Sequence, residues 1–358
     1  VSIAFFISPH GYGHAARAAA VMEAFHDLDP DAEFEIFTKV PEWFFRHSLS
    51  GTFTYHPLLT DIGLVQKTSL KADLSATVTR LDSFLPFPEQ KISELARMVS
   101  ERQCRLLLCD ISPMGILVAR RAGIPSLLIE NFTWDWIYEE YVAECAGLRA
   151  HLSYLGEFFR RADFHIQTQP VCRPRNVQLT TSPVSRRARS TREETRRRLG
   201  IPPHALVAMI TMGGIPETYP FLDPLQELED FVFLIPGGGN EASRRRNLFL
   251  LPHHSDYFHP DLVNASDALI GKVGYSTLSE VYWAGIPFGY IARDDFRESP
   301  VLISFIEKNM RGVALSAKEF TSGDFALRLP ELFALGRVEH QGLNGADPIA
   351  RFIANLNP

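Results

Sequence analysis

Short apolar runs rich in β-branched and aromatic residues punctuate this chain from end to end. They close on glycine or proline and alternate with longer amphipathic stretches. A run such as VSIAFFI (1–7) is apolar at nearly every position rather than at every second one, so both of its faces must be buried. Strands buried on both faces belong to parallel sheets, whose crossovers are helices. The first series predicts strands at 2–8, 34–38, 105–109, 126–130 and 164–168, with helices over 14–28, 88–102, 113–122 and 135–147. A second series begins at ALVAMITMGG (205–214) and runs through FVFLIPGGG (231–239), NLFLLP (247–252), DALIGK (267–272) and IPFGYIA (286–292).

Between the two series lies PVCRPRNVQLTTSPVSRRARSTREETRRRLGIPP (170–203), rich in Pro, Arg, Ser and Thr and poor in aliphatics. Its end reads as a helix capped by Thr191 with Glu194 three positions on. At 358 residues the chain also exceeds the roughly 250–300 at which single cores stop growing. The expectation is an α/β protein of two Rossmann-like parallel-sheet domains. The first spans 1–169, with a linker and the first helix of the second domain over 170–203. The second domain spans 204–340, and a carboxy-terminal helix at 341–358 can pack back on the first domain.

A net charge of −6 supplies no global attraction for nucleic acid or an anionic membrane. Seven arginines fall between 186 and 198, but no aromatic residues interleave with them. They read as a solvated linker and helix face with acidic partners nearby. No stretch approaches the roughly 20 apolar residues of a spanning helix, and the apolar start lacks the basic region of a signal peptide. A cytoplasmic protein is expected, with any membrane contact peripheral. The segment PEWFFRHS (41–48) reads as buried packing or as an apolar patch facing an acceptor or lipid. Cys104, Cys109, Cys145 and Cys172 include no C-x-x-C pair and read as reduced core thiols.

Glycine-bearing turns follow strands in both halves, at the strand ends where open α/β sheets place ligands. In SPHGYGHAARAAAV (8–21), Gly11 and Gly13 allow close backbone approach, and the helix starting near His14 offers unpaired amides. Ala16 replaces the third glycine of a dinucleotide fingerprint, and the second strand ends in Lys39 rather than an acid, so a nicotinamide cofactor is not expected. In GKVGYSTLSEVYWAGIP (271–287) a Gly274 turn is followed by Tyr275, hydroxyls at Ser276 and Thr277, and Glu280 one turn later. Amides and hydroxyls at a helix start suit a diphosphate, and the carboxylate suits a ribose diol. No phosphate-loop motif or metal-ligand spacing occurs, and RDDFRES (293–299) holds adjacent acids but no D-x-D, so neither a metal nor a bound cofactor is expected.

These residues resemble the GT-B glycosyltransferases, whose two Rossmann-like domains face a central cleft. GYSTLSEVYWAGIPF is similar to their nucleotide-sugar signature, shared with plant secondary-product transferases and the lipid II-forming N-acetylglucosaminyltransferases. PHGYGHAAR resembles their amino-terminal G-x-x-G-H turn. HGYGHAARAAAV, CDISPMGILVARRAGIPSLLIENFTWDWIYEEY and REETRRRLGI further resemble the glycosyltransferase-like amino-terminal half of L-arabinokinases. The kinase phosphate loop P-x-x-x-G-L-x-S-S-A is absent, so arabinose phosphorylation is not implied.

The resemblance implies a metal-independent, inverting transferase that uses a nucleotide sugar, UDP-linked by preference, as substrate. His14 would be the general base and Asp110, 96 positions later at the end of LLLCD, its orienting carboxylate. It implies Glu280 for the ribose, Gly274, Ser276 and Thr277 for the pyrophosphate, Tyr275 among the donor-binding residues, and Gly213 and Gly214 approaching the phosphates. Tyr257 and Phe258 would frame the base. Arg297 and Glu298 would lie at the donor sugar, where the family usually carries an acid followed by Gln. His10, Gly11, Gly13, Arg17, Asn131, Trp134 and Asp135 are the acceptor-side candidates, for a small-molecule or lipid-linked hydroxyl. A non-catalytic nucleotide-sugar-binding regulatory module is the competing class. A sugar-nucleotide epimerase shares the architecture, but its carboxylate cluster is missing.

Overall fold

The computed structural model describes residues 1–68, 71–213 and 219–356, and divides into two compact units. The first comprises residues 1–185, 295–298 and 343–358; the second comprises 186–294 and 299–342.

In the first unit seven strands form one sheet: β1 (Ser2–Ile7), β2 (Glu33–Thr38), β3 (Phe53–Pro57), β4 (Cys104–Asp110), β5 (Ser126–Glu130), β6 (Phe164–Thr168) and β7 (Leu179–Thr181). Their order is β3-β2-β1-β4-β5-β6-β7 and every pair is parallel. Alternation along the strands accounts for the uninterrupted apolar runs. Ala4, Phe6, Leu107, Cys109 and Leu128 enter the core on one face, while Ile3, Phe5, Ile7, Leu106, Leu108, Leu127 and Ile129 enter the core on the other.

The helix Gly13–His26 covers the second of these faces with alanines at 15, 16, 18, 19 and 20, all buried. Side chains this short admit a close neighbour, the carboxy-terminal helix Ala346–Asn355, which buries Ala346, Ile349, Ala350 and Ile353 there. Its entry is fixed by Asn344, whose Nδ2 donates to the Ser185 carbonyl (2.9 Å). The segment 295–298 is likewise tied to the first unit. Phe296 packs edge-on to Phe132, Arg297 lies over the Trp136 ring, and Tyr141 donates its hydroxyl proton to the Asp295 carbonyl.

In the second unit the sheet runs β10-β11-β9-β8-β12-β13-β14, built from β8 (Leu206–Thr211), β9 (Phe231–Pro236), β10 (Ser243–Arg245), β11 (Leu248–Leu251), β12 (Ala268–Lys272), β13 (Phe288–Ile291) and β14 (Gly312–Leu315). All pairs are parallel except β10 with β11. The helix Arg192–Leu199 opens with the Thr191–Glu194 capping box.

In the arginine run Arg187, Arg189, Arg197 and Arg198 are exposed, and Arg186 and Arg192 pair with Glu280 and Asp267, but one member departs from a solvated face. Arg196 is 2% exposed, and its guanidinium donates to the carbonyls of Ala265, Pro203 and Ala205 and to Asp267. Of the PEWFFRHS segment, Phe44 and Phe45 are buried. All four cysteines are free, and among the described residues no helix is long and apolar enough to cross a membrane.

Candidate active site

Strand order reverses between β1 and β4 in the first sheet and between β8 and β12 in the second. The crevice at the carboxyl ends of such neighbours is where open α/β sheets hold ligands.

At the first reversal β1 passes through Ser8 and a Gly11 turn, φ +72°, into the helix Gly13–His26. No side chain caps that helix. His14, in its first turn, reaches Asp110 at the end of β4: Nδ1 lies 2.9 Å from Asp110 Oδ1. Arg17, one turn further, closes on the same carboxylate with both arms of its fork, Nε to Oδ2 at 2.8 Å and Nη2 to Oδ1 at 2.6 Å. Its remaining nitrogen donates to Asn131 Oδ1 (2.8 Å), past the end of β5, and to Thr168 Oγ1 (3.4 Å) at the end of β6. Asn131 in turn donates to Glu298 Oε1 (2.6 Å).

Arg17, Asp110, Asn131 and Thr168 are each at most 1% exposed. Arg17 is therefore an internal clamp on Asp110, and not an exposed contact for an anionic ligand. The residue after Asp110, Ile111, is a fully buried β-branched residue at φ +44°. Backbone held in the left-handed region by such a residue is strained, and strain of this kind concentrates at sites that must hold one geometry.

Electrostatics assign the protons. Burial works to raise Asp110, but Arg17 and His14 outweigh it and keep the carboxylate ionised. Burial holds His14 below the ordinary imidazole value. Asp110 pulls it up, and Arg17 adds to the lowering. The state that fits both is a neutral imidazole donating Nδ1–H to Asp110. Its lone pair is then on Nε2, which has no hydrogen-bond partner among the described residues.

Beside this cluster stands a carboxyl that the sequence did not single out. Asp61 is 4% exposed and accepts from Ser8 Oγ at 2.9 Å. Burial, with a smaller contribution from Asp110, pushes it up to about 7. Its position is set by Thr60, whose Oγ1 donates to the Ile7 carbonyl (2.7 Å). Trp134 is buried with its ring near both His10 (centroids 5.0 Å apart) and His14 (6.3 Å). Asp135 is not brought to this cluster: it lies beside Gly156 and Arg160. Glu298 and Arg297, expected at the donor sugar, belong to the first unit. Glu298 accepts from Asn131, and Arg297 donates to the Trp136 carbonyl and to Glu139 (2.8 Å).

At the second reversal, β12 ends at Lys272 and Gly274 opens the uncapped helix Tyr275–Ala284. Among the described residues no atom lies within 4 Å of where a Cβ on Gly274 would sit, so packing does not demand glycine there and the turn leaves open space above its backbone. Ser276 and Thr277 are partly exposed in the first turn, and Tyr275 is buried. Gly213 follows β8, and a Cβ on it would meet Lys272 Cε at 3.7 Å, so a cation adjoins this glycine turn. Gly214 lies outside the described residues.

Glu280 is buried and doubly held, by Arg186 Nη2 (2.9 Å) and by His259 Nδ1 (2.8 Å). Burial works to raise it, but these two partners bring it down to about 2. Phe258 is buried under the guanidinium groups of Arg186 and Arg189, and Tyr257 lies under Arg198. Both rings are thus already faced by arginines. Arg186, His259, Lys272, Asp61 and Ser8 carry no motif spacing; only their neighbours in space mark them.

The two sheets and their crevices define an α/β protein of the GT-B class, and its structural neighbours are GT-B glycosyltransferases. The glycotransferase of kitacinnamycin matches with a TM-score of 0.63 at 14% identity over 99% of this chain and 93% of that one. UGT89C1 of Arabidopsis thaliana, solved in complex with UDP, matches with a TM-score of 0.58 at 12% identity over 99% and 94%. In sequence, the chain is 28% identical over 356 residues to the L-arabinokinase of Arabidopsis thaliana. That match takes in 98% of this chain but only 34% of the relative, so the chain spans about a third of the relative's length. No family model matches the chain.

Proposed function

We propose that this protein transfers a sugar from a nucleotide-diphosphate sugar, a UDP-sugar by preference, to a hydroxyl acceptor by a single inverting displacement without a metal. The observation that carries the reading is the buried His14–Asp110–Arg17 arrangement, which leaves a neutral imidazole with its Nε2 lone pair unused. In the reaction Nε2 takes the proton of the acceptor hydroxyl as that oxygen bonds to the anomeric carbon. The bond from that carbon to the phosphate oxygen breaks, and the nucleoside diphosphate leaves. Asp110 fixes the tautomer and stabilises the imidazolium, as the aspartate does in hydrolase triads.

In the second unit the uncapped helix start at Tyr275, the hydroxyls of Ser276 and Thr277, and Lys272 supply positive potential for the departing diphosphate. Glu280 is the ribose ligand, and a ribose diol there competes with Arg186 for the carboxylate. UDP in the UGT89C1 structure supports the choice of donor. One observation favours the reading of a regulatory nucleotide-sugar-binding module: the relative for which the sequence match was found is named for a kinase and is far longer than this chain.

His14→Ala separates the two. A base of this kind contributes about 10²- to 10⁴-fold, so sugar transfer or donor hydrolysis falls by that factor while binding of the UDP-sugar, read by thermal shift, persists. Turnover unchanged in His14→Ala removes His14 as the base. Donor binding with no turnover in the unmutated protein favours the module.

A further inference from the structure

Two buried polar atoms in the first unit stand without hydrogen bonds a few residues from His14, and they are of opposite kind. Asp61 Oδ1 is taken by Ser8, but Oδ2 has no partner; Trp134 Nε1, a donor, has none either. Asp61 is 4% exposed and Trp134 1%. The indole N–H lies close enough to the Asp61 carboxyl to favour its ionised form, yet is not aligned on either oxygen as a hydrogen bond. Leaving such groups unpaired costs about 1–3 kcal/mol each, so a fold keeps them for a reason.

The surroundings are rigid. Thr60 ties the Asp61 segment to the end of β1, the Tyr138 hydroxyl donates to the Gly63 carbonyl (2.7 Å), and Trp134 stacks on Tyr138. His10 lies edge-on to the same indole. A side chain at Gly63 would strike the His10 ring, the nearest atom lying 2.7 Å from the Cβ position.

We propose that Asp61 and Trp134 form a hydroxyl-reading subsite beside His14, which selects a polyhydroxylated acceptor of the sugar or polyol class. One hydroxyl of that acceptor accepts from Trp134 Nε1–H and donates to Asp61 Oδ2. A hydroxyl does both at once, whereas an ammonium group can only donate and a carboxylate can only accept. The His10 ring, partly exposed beside the buried indole, supplies an apolar surface of the kind that sugar rings stack on. A second hydroxyl of the same molecule is then the one offered to His14 Nε2. This acceptor class rests on the transferase reading above, but the subsite itself can be tested without a donor.

The test is equilibrium binding of a panel of free pentoses, hexoses and cyclic polyols, followed by intrinsic tryptophan fluorescence and by calorimetry. It uses the full chain, Asp61→Asn and Trp134→Phe. Asp61→Asn keeps the acceptor oxygen for Ser8 and replaces the second acceptor with a donor; Trp134→Phe keeps the ring and removes the N–H. At least one panel member is expected to bind. Asp61→Asn should weaken it tenfold or more and Trp134→Phe severalfold, while UDP-sugar binding is unchanged in both. Deoxy analogues should lose affinity at one hydroxyl only, and that loss should vanish in Asp61→Asn.

If no panel member binds to protein that still binds UDP-sugar, or if affinity is indifferent to Asp61→Asn, the two atoms serve an ordered water and the subsite is overturned. Sugar binding that depends on Asp61 in protein that binds no nucleotide sugar upholds the subsite and sinks the transferase reading instead.

Discussion

Burial and Arg17 together set how the first crevice behaves. Burial holds the His14 imidazole below its ordinary value, while Asp110 pulls it up. The bidentate guanidinium on Asp110 adds to the lowering, so the imidazole is free to act as a base. Activity that depends on neutral His14 therefore holds at pH 7 and falls as the pH drops below the ordinary imidazole range.

Arg17→Gln removes one of the two lowering contributions and leaves burial, so the acid limb of kcat/KM moves to higher pH. It also leaves Asp110 buried without its main counter-charge, which costs about 3–5 kcal/mol in urea unfolding. A limb that stays in place in Arg17→Gln would show that Arg17 is only a brace. Asp61 gives a second reading at this scale. Its folded value, about 7, lies above the unfolded 3.8. The folded state therefore holds the proton more tightly, and stability present below pH 4 is lost as the pH rises through 7. Asp61→Asn lacks that loss. Its stability relative to the unmutated chain should climb by about 1.4 kcal/mol per unit between those limits, to about 4 kcal/mol at pH 8. Urea midpoints at pH 5 and pH 8 check it, and a difference independent of pH contradicts it.

At the scale of the element, the central strands β1, β2, β4, β5 and β6 were legible to within a residue or two, because burial on both faces writes an uninterrupted apolar run. The strands without an expectation, β3, β7, β10 and β14, lie at or next to sheet margins, and their residues, such as FTYHP and LTT, need not be apolar. The helix expected over 135–147 ends at Tyr141, and a separate helix, Arg149–Phe159, follows it. His14 and Asp110 were legible through the resemblance of PHGYGHAAR to a G-x-x-G-H turn and the 96 positions from it to the end of LLLCD. Asp61 was not, since it lies in the loop PLLTDIGL and is brought to the crevice only by Thr60 and Ser8. The membership of Arg297 and Glu298 depends on partners more than 150 positions away, and no local pattern carries it.

The helix bearing Ser276, Thr277 and Glu280 closes at Gly285 with φ +66°. A Cβ there would lie 1.9 Å from the Val338 carbonyl oxygen, while Val338 N donates to the Gly285 carbonyl at 2.8 Å. Gly285→Ala thus meets both left-handed strain and fixed backbone. It should cost about 2 kcal/mol or more and lower the melting temperature of the second unit. An unshifted melting curve would mean that residues 336–338 yield without penalty.

Across the whole molecule, sequence order and structural unit part company at the end of the chain. After the second sheet is complete the chain returns to the first unit, where Ile349 and Ile353 are fully buried against the alanine face of Gly13–His26. Each such side chain stabilises by about 1.5–3 kcal/mol relative to exposure. The two isoleucines, the two buried alanines and the Asn344–Ser185 hydrogen bond then amount to a large share of the roughly 5–15 kcal/mol that holds a domain together. Their loss falls on the helix that carries His14 and Arg17. A chain ending at 342 should therefore keep a folded second unit and lose a stable first one. Limited proteolysis with mass spectrometry should find cuts spread through 1–185 while 186–342 stays protected. Ile349→Ala in the full chain should show a milder form of the same asymmetry, about 2–5 kcal/mol confined to the first unit. Equal protection of both units in the truncated chain would mean that the alanine face is stable uncovered. The first crevice would then owe its geometry to the Arg17 clamp alone.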